Sequence, residues 1–325
     1  MTNTTLTSSR FLPLDQLRGL LIVIMGLDHA VGLSMGRSST ELWSRTQPAA
    51  DELGTFFVRY ISHSAATGFL LVMGIAFWLS RQNRIGEGQS EGRFTSYSLM
   101  RGLFLLFLQF TLINFAWLYG EPRPANLDIW RQALDMIMNP YRQYYGVVFA
   151  AGCGLIVMAC LAKLQSKTLT AIVAVVLLSP VVYLSFIPSQ DTLWWIVGPL
   201  GVPGKWDRAW VLYTVIPWAG ICLGGLLMGR MLEIDREKFL RFCLVAGCIS
   251  IGAFLSSIAY RAITAPALDV IAIMYLVRYP PELLLLAMAF GLSCLAIKGF
   301  SMLPRSVLLR PLELFGRVSL FFYTT

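Results

Sequence analysis

The feature that most constrains this chain is LDQLRGLLIVIMGLDHA, residues 14–30. It is apolar and nearly long enough to cross a bilayer, which takes roughly 20 residues of helix. Yet Asp15 and Arg18 stand at its start, Asp28 and His29 near its far end, and His29 is one of only 2 histidines in the chain. An ionisable side chain at membrane depth costs at least about 2.5–3.5 kcal/mol on insertion scales and is tolerated where it faces a bundle interior or a wet cavity. At about 100° per residue, the step from Arg18 to His29 leaves only about 20° of offset and covers about 16 Å along the axis. Asp15, Arg18, Ile22, Met25 and His29 therefore share one stripe, with a charged pair at one level and a histidine at another. Asp28 points about 100° away from His29, so adjacency alone does not make the two a dyad.

The rest of the chain gives this helix its company. Of 325 residues, 56% are hydrophobic and 14% charged, whereas soluble domains carry about 25% charge. An integral membrane protein is expected. Apolar segments lie at about 12–36, 56–80, 97–119, 143–162, 169–188, 210–230, 240–260 and 281–299, and a ninth starts near 311 and stops early at the chain end. Segments 192–204 and 265–277 are too short to span; the first is broken by Gly and Pro, and the second suits an interfacial or re-entrant helix. The expectation is one all-α polytopic domain over 1–325, with 8–9 transmembrane helices, 10 at most, and the ninth truncated. A cytoplasmic N-terminus places 16 of the 26 Lys and Arg residues on the inner side, in the shorter loops, as the positive-inside rule requires. The same asymmetry accounts for the net charge of +8, and no basic run with interleaved aromatics suggests nucleic acid. All 6 cysteines fall in apolar segments without a CxxC, which reads as buried free thiols rather than a disulfide framework.

The second helix repeats the pattern of the first. In FFVRYISHSAATGF, Arg59 and His63 are four apart on one helical face. This helix runs back inward, so His63 falls near the level of His29. A histidine is the natural general base near neutral pH, and a neighbouring carboxylate, here Asp28, orients it. Each residue also has a plainer reading. Asp15 and Arg18 suit an interfacial pair that snorkels at a helix start, and His29 suits a hydrogen bond inside a bundle. Arg278 and Glu282 in VRYPPELLLL suit an ion pair beside a helix cap, or a pocket wall near the outer surface. Trp218 stands above Gly220, Gly224 and Gly225, small residues that let helices approach. Two histidines and an aspartate lack the spacing of a metal site, and no metal is expected.

Four stretches, LDQLRGLLIVIMGLDH, FFVRYISHSAATGFLLVMGIAFWLS, VIPWAGICLGGLLMGR and RYPPELLLLAMAFGLSCLAI, occur in this order between residue 14 and about 297. Together they resemble the motifs of the heparan-α-glucosaminide N-acetyltransferase-like membrane family in its short prokaryotic form. The resemblance implies a multi-helix acyltransferase that takes an acetyl or other acyl group from cytosolic acyl-CoA and delivers it to an amino sugar or glycan on the outer side. It implies acetyl-CoA or another acyl-CoA as donor, with Arg18 and the 81–101 loop (Arg81, Arg84, Arg93, Arg101) receiving its phosphates. Positive-inside topology explains those arginines as well. The animal relative has Asn-Tyr where this chain has Asp28-His29, so the base stays open between His29 and His63. Substrate-binding candidates are Arg18, Asp15, Arg59, Arg278, Glu282 and Trp218. Expected partners are membrane lipids, an acyl-CoA, a sugar or glycan acceptor and a second copy of the chain as a homodimer, and the expected location is the inner membrane of a prokaryotic cell. Two other classes stay open on the same residues: a transporter or channel-like protein whose intramembrane charges line a path, and a non-catalytic lipid-binding membrane protein.

Overall fold

The computed structural model describes residues 11–34, 61–62, 64–118, 131, 143–183, 194–206, 209–264, 283–304 and 307–317. Among them, the helices are α1 (Leu12–Ser34), α2 (Ser64–Gly86), α3 (Glu91–Leu108), α4 (Asn114–Leu118), α5 (Val147–Leu161), α6 (Ser166–Tyr183), α7 (Trp194–Gly201), α8 (Trp218–Ile234), α9 (Arg236–Thr264), α10 (Leu283–Met302) and α11 (Arg310–Arg317). A π-helical turn, Gln109–Ile113, joins α3 to α4. Stretches Ser64–Gly86, Glu91–Ala116, Arg236–Thr264 and Leu284–Met302 are long and apolar enough to cross a membrane. Exposed Met100, Leu103, Phe104 and Phe107 on α3, and Val245, Ile249 and Leu255 on α9, would be an aggregation hazard in water. Lipid tails solvate such faces, and the chain is an all-α integral membrane protein.

The helices start and stop close to the apolar segments, with two local departures. The segment read as 210–230 opens not as helix but as a strand, with α8 beginning only at Trp218, after Pro217. The segment read from 143 likewise opens as a strand, with α5 starting at Val147. These strands form a small sheet of order β1-β3-β2, in which β1 (Gln143–Tyr145) pairs parallel with β3 (Ala209–Val211) and β2 (Gly204–Trp206) antiparallel with it. Aromatic residues favour the pleated surface, and Tyr144 packs on Trp210 at 5.3 Å between ring centres.

The chain divides into two compact units. In the unit comprising 1–40, 50–88 and 228–325, α1 and α2 run antiparallel. Asp28 meets Ser62 at one end, and Leu21 packs over Gly68 further along. Leu17, Leu70, Leu71, Ile75, Phe239 and Ile297 are fully buried in this unit. The α9 and α10 helices cross where Gly247 and Gly291 let the backbones approach. In the unit comprising 41–49 and 89–227, the fully buried Gln109 organises the turn after α3. Its Nε2 donates to the Tyr144 carbonyl at 2.8 Å, and its Oε1 accepts the Phe149 N–H at 3.2 Å. One amide thus serves a strand carbonyl and, beside the Gly146 carbonyl at 3.1 Å, the Phe149 N–H at the start of α5.

Candidate functional site

The polar groups of α1 settle at two levels, separated by ten residues between Arg18 and Asp28, or about 15 Å along the axis. At the first level, Asp15 and Gln16 are buried, and Arg18 is half-buried. Arg18 Nη1 lies 3.4 Å from Asp15 Oδ1 and donates to the Gly316 carbonyl at 3.1 Å. Gln16 Nε2 donates to Glu313 Oε1 at 2.9 Å. Both partners belong to α11. The Gly316 carbonyl sits in the last turn of that helix, where carbonyls lack partners within the helix, and a cation there also complements the helix dipole. Backbone contact is tight: a Cβ at Gly19 would lie 1.9 Å from the Leu312 carbonyl oxygen, and one at Gly316 would lie 2.0 Å from the Asp15 carbonyl oxygen. LDQLRG is thus the seat of the C-terminal helix, an arrangement built from residues almost 300 positions apart.

At the second level stand Asp28, His29 and Ser62. The Ser62 hydroxyl donates to Asp28 Oδ1. Asp28 Oδ2 lies 3.6 Å from His29 Nδ1, in ion-pair range though longer than a hydrogen bond. The side chain of Asp28 is 15% exposed and that of His29 is 49% exposed. The carboxylate is therefore held in place by Ser62 on one oxygen and faces the imidazole with the other. The stripe expected to stay inside the bundle does so for Asp15 and Ile22, but among the described residues it opens at His29. Arg59, His63, Arg278 and Glu282 lie outside the described residues. Trp218 is fully buried in the other unit, its ring 4.9 Å from that of Tyr213. Of the arginines expected to receive phosphates, Arg81 lies over the Trp78 ring at 4.9 Å and Arg101 over the Tyr97 ring at 5.6 Å.

Ser62 is the residue that reading the sequence passed over. Its only signal was its place, next to His63 and at the same depth as Asp28 on a helix running the other way. The chemistry available at the second level is proton transfer: a histidine with Nδ1 turned toward a fixed carboxylate and Nε2 turned away from it.

Comparison with known proteins bears on which chemistry that is. A search of curated proteins gives no match. The sequence model of the family described as heparan-alpha-glucosaminide N-acetyltransferase, catalytic, matches residues 10–252. That range takes in α1, Ser62 and most of both units.

Proposed function

The chain belongs to the heparan-alpha-glucosaminide N-acetyltransferase family, and from that premise we propose that it is a membrane acyltransferase with Asp28 and His29 at its acceptor-side centre. The donor is acetyl-CoA or another acyl-CoA from the cytosol, and the acceptor is an amino sugar or glycan at the outer face. The observation that carries this reading is the contact of His29 Nδ1 with an aspartate that Ser62 already holds. Asp28 favours the tautomer with the proton on Nδ1, which leaves the Nε2 lone pair to take a proton from the acceptor amine or hydroxyl as it attacks the thioester carbonyl. The proton then goes to the departing thiolate or to solvent. His63 shares this level in the proposed arrangement and supports the same step or binds the acceptor. Arg59, Arg278 and Glu282 are assigned to the acceptor side, where a sugar offers hydroxyls to charged hydrogen-bonding groups.

The proposed orientation puts the N-terminus and the Arg18 level in the cytosol, with 8–10 crossings in an inner membrane. Acyl-CoA then approaches from the basic side, and the acceptor from the side of His29. Arg18 is committed to Gly316 and Asp15, so its role in this reading is to hold α11 rather than to take the donor's phosphates. The test is acyl transfer by the purified full chain in liposomes. Acetyl-CoA and an amino sugar are supplied, and the acetylated product is measured by mass spectrometry. Acetyl-CoA-dependent product supports the reading. Its absence with every amino-sugar and glycan acceptor offered, alongside solute flux through the same liposomes, turns the assignment to a transporter.

A further inference from the structure

The first helix changes character halfway along. From Leu12 to Ile22 none of its residues is exposed, and Leu14, Leu17, Leu21 and Ile22 are buried. From Val23 onward it opens: Val23, Gly26, Leu27, His29 and Ala30 are exposed. Val23, Gly26, Leu27 and Ala30 stand at i, i+3, i+4 and i+7, which is one face of a helix. This face offers only hydrocarbon. Gly26 adds a notch to it, because a Cβ there would meet nothing within 4 Å, so the missing side chain is not there to admit another helix. His29 comes three residues after Gly26, about 60° round the axis, which sets it at the edge of the stripe. Ile61, the residue before Ser62, is exposed as well.

Depth along the helix gives this stripe a meaning. The α1 helix has 23 residues, about 34 Å at 1.5 Å each, against a hydrocarbon core of about 30 Å. His29 lies five residues before Ser34, about 8 Å from the helix end, and Val23 lies about 9 Å deeper. A polar centre near the headgroup boundary thus continues inward as an apolar strip. A site for a soluble sugar sets converging polar groups around it to fix its orientation. Among the described residues, the stripe that borders His29 is apolar instead. A plain lipid-facing wall would be apolar too, but an ionisable pair beside such a wall is costly and marks function. One kind of molecule matches both parts, with a polar head and a hydrocarbon tail.

We propose that the acceptor is lipid-borne: an amino sugar or glycan joined to a hydrocarbon chain, with the chain along Val23–Ala30 and the head at His29. This rests on the acyl-transfer reading and narrows its acceptor to one that stays in the bilayer. The nitrogen or oxygen of the head bonds to the acyl carbon, and the thioester C–S bond breaks. The acceptor proton passes through His29 Nε2 to the departing thiolate. Gly26 sets specificity, since its notch clears room beside the imidazole for the first part of the chain. Burying even two methylenes on the stripe is worth about tenfold in affinity.

The experiment uses the purified full chain in phosphatidylcholine nanodiscs. The probes are dodecyl glucosaminide, the same compound with a photoreactive diazirine in its alkyl chain, and methyl glucosaminide, which has the head without the tail. The photoreactive probe labels residues 23–30 saturably, and unlabelled dodecyl glucosaminide displaces it whereas methyl glucosaminide does not. With acetyl-CoA supplied, kcat/KM for the dodecyl acceptor exceeds that for the methyl acceptor by at least about tenfold. Partitioning into the bilayer adds to that ratio, but a substitution in the protein leaves partitioning unchanged. Gly26→Leu fills the notch, where its Cβ meets nothing, and lowers the ratio to about one fifth or less. The proposal is overturned if residues 23–30 stay unlabelled, or if their labelling does not saturate, as at a plain lipid wall. Equal kcat/KM for the two acceptors overturns it, and so does an unchanged ratio in Gly26→Leu. Saturable labelling of 23–30 without acetyl transfer to either acceptor supports the amphiphile site and removes the acyl-transfer reading, so the two failures are told apart. The labelling of wild type decides the matter even where Gly26→Leu fails to fold.

Discussion

Asp28 has two carboxylate oxygens and uses them differently, which is where the proposed mechanism is most exposed to test at the residue scale. Oδ1 accepts from Ser62 and Oδ2 faces His29. Removing the base deletes a step commonly worth about 10²–10⁴ in rate, so His29→Ala is expected to cut acyl transfer at least about a hundredfold. Asp28→Asn keeps the shape but removes the charge that favours the Nδ1 proton; a fall of about ten- to a hundredfold is expected, in kcat more than in KM. Ser62→Ala removes one neutral donor to a carboxylate, worth about 1.5–3 kcal/mol at most, and should cost activity by about tenfold. The three variants assayed side by side check the order His29, then Asp28, then Ser62. A Ser62→Ala loss larger than that of His29→Ala would assign the chemistry to the serine instead.

At the scale of elements, the first helix was legible and its partner was not. The apolar run predicts a helix over 12–36, and the structure shows Leu12–Ser34. The angular stripe correctly groups Asp15 with Arg18, but nothing in periodicity says that a helix starting at Arg310 caps that pair. Contacts across almost 300 residues leave no local pattern; only Gly19 hints at a close neighbour. Gly19→Val is therefore expected to dislodge α11 while leaving α1 helical. Hydrogen–deuterium exchange over 310–317 should rise at least about tenfold, with exchange over 64–86 unchanged. Gln109 makes a parallel case in the other unit. Gln109→Leu leaves the Tyr144 carbonyl buried without its amide donor, a loss of about 1–3 kcal/mol, while the Phe149 N–H keeps the Gly146 carbonyl. The thermal midpoint should fall by several degrees. The strands at 143–145 and 209–211 were missed because each is only three residues long and sits in an apolar run, where helix and strand share the same composition.

For the whole molecule, composition pointed to a membrane protein, as the apolar helices bear out, and the order of four motifs pointed to the family that the sequence model over residues 10–252 shows. Depth along the helices came partly from sequence: His29 and Arg18 were read at separate levels, and the antiparallel pairing of Asp28 with Ser62 and Leu21 with Gly68 supports that separation. The hydrogen bond from Trp78 to Glu233 and the stacking of Arg81 and Arg230 on the indole were invisible, since these residues look like ordinary positive-inside charge until the helices are packed. Orientation is predicted from charge alone. A cysteine placed at the exposed Lys238, in a background lacking the exposed Cys160 and Cys248, should react with a membrane-impermeant maleimide only after cells are opened. Labelling in intact cells would invert the topology and place the His29 level inside. The most direct test of the central claim is the rate at which purified wild type, His29→Ala and His63→Ala transfer acetyl from acetyl-CoA to an amino sugar. The account predicts transfer by wild type and a loss of at least about a hundredfold in His29→Ala; a wild-type rate in His29→Ala would contradict it, and a loss confined to His63→Ala would move the base to His63.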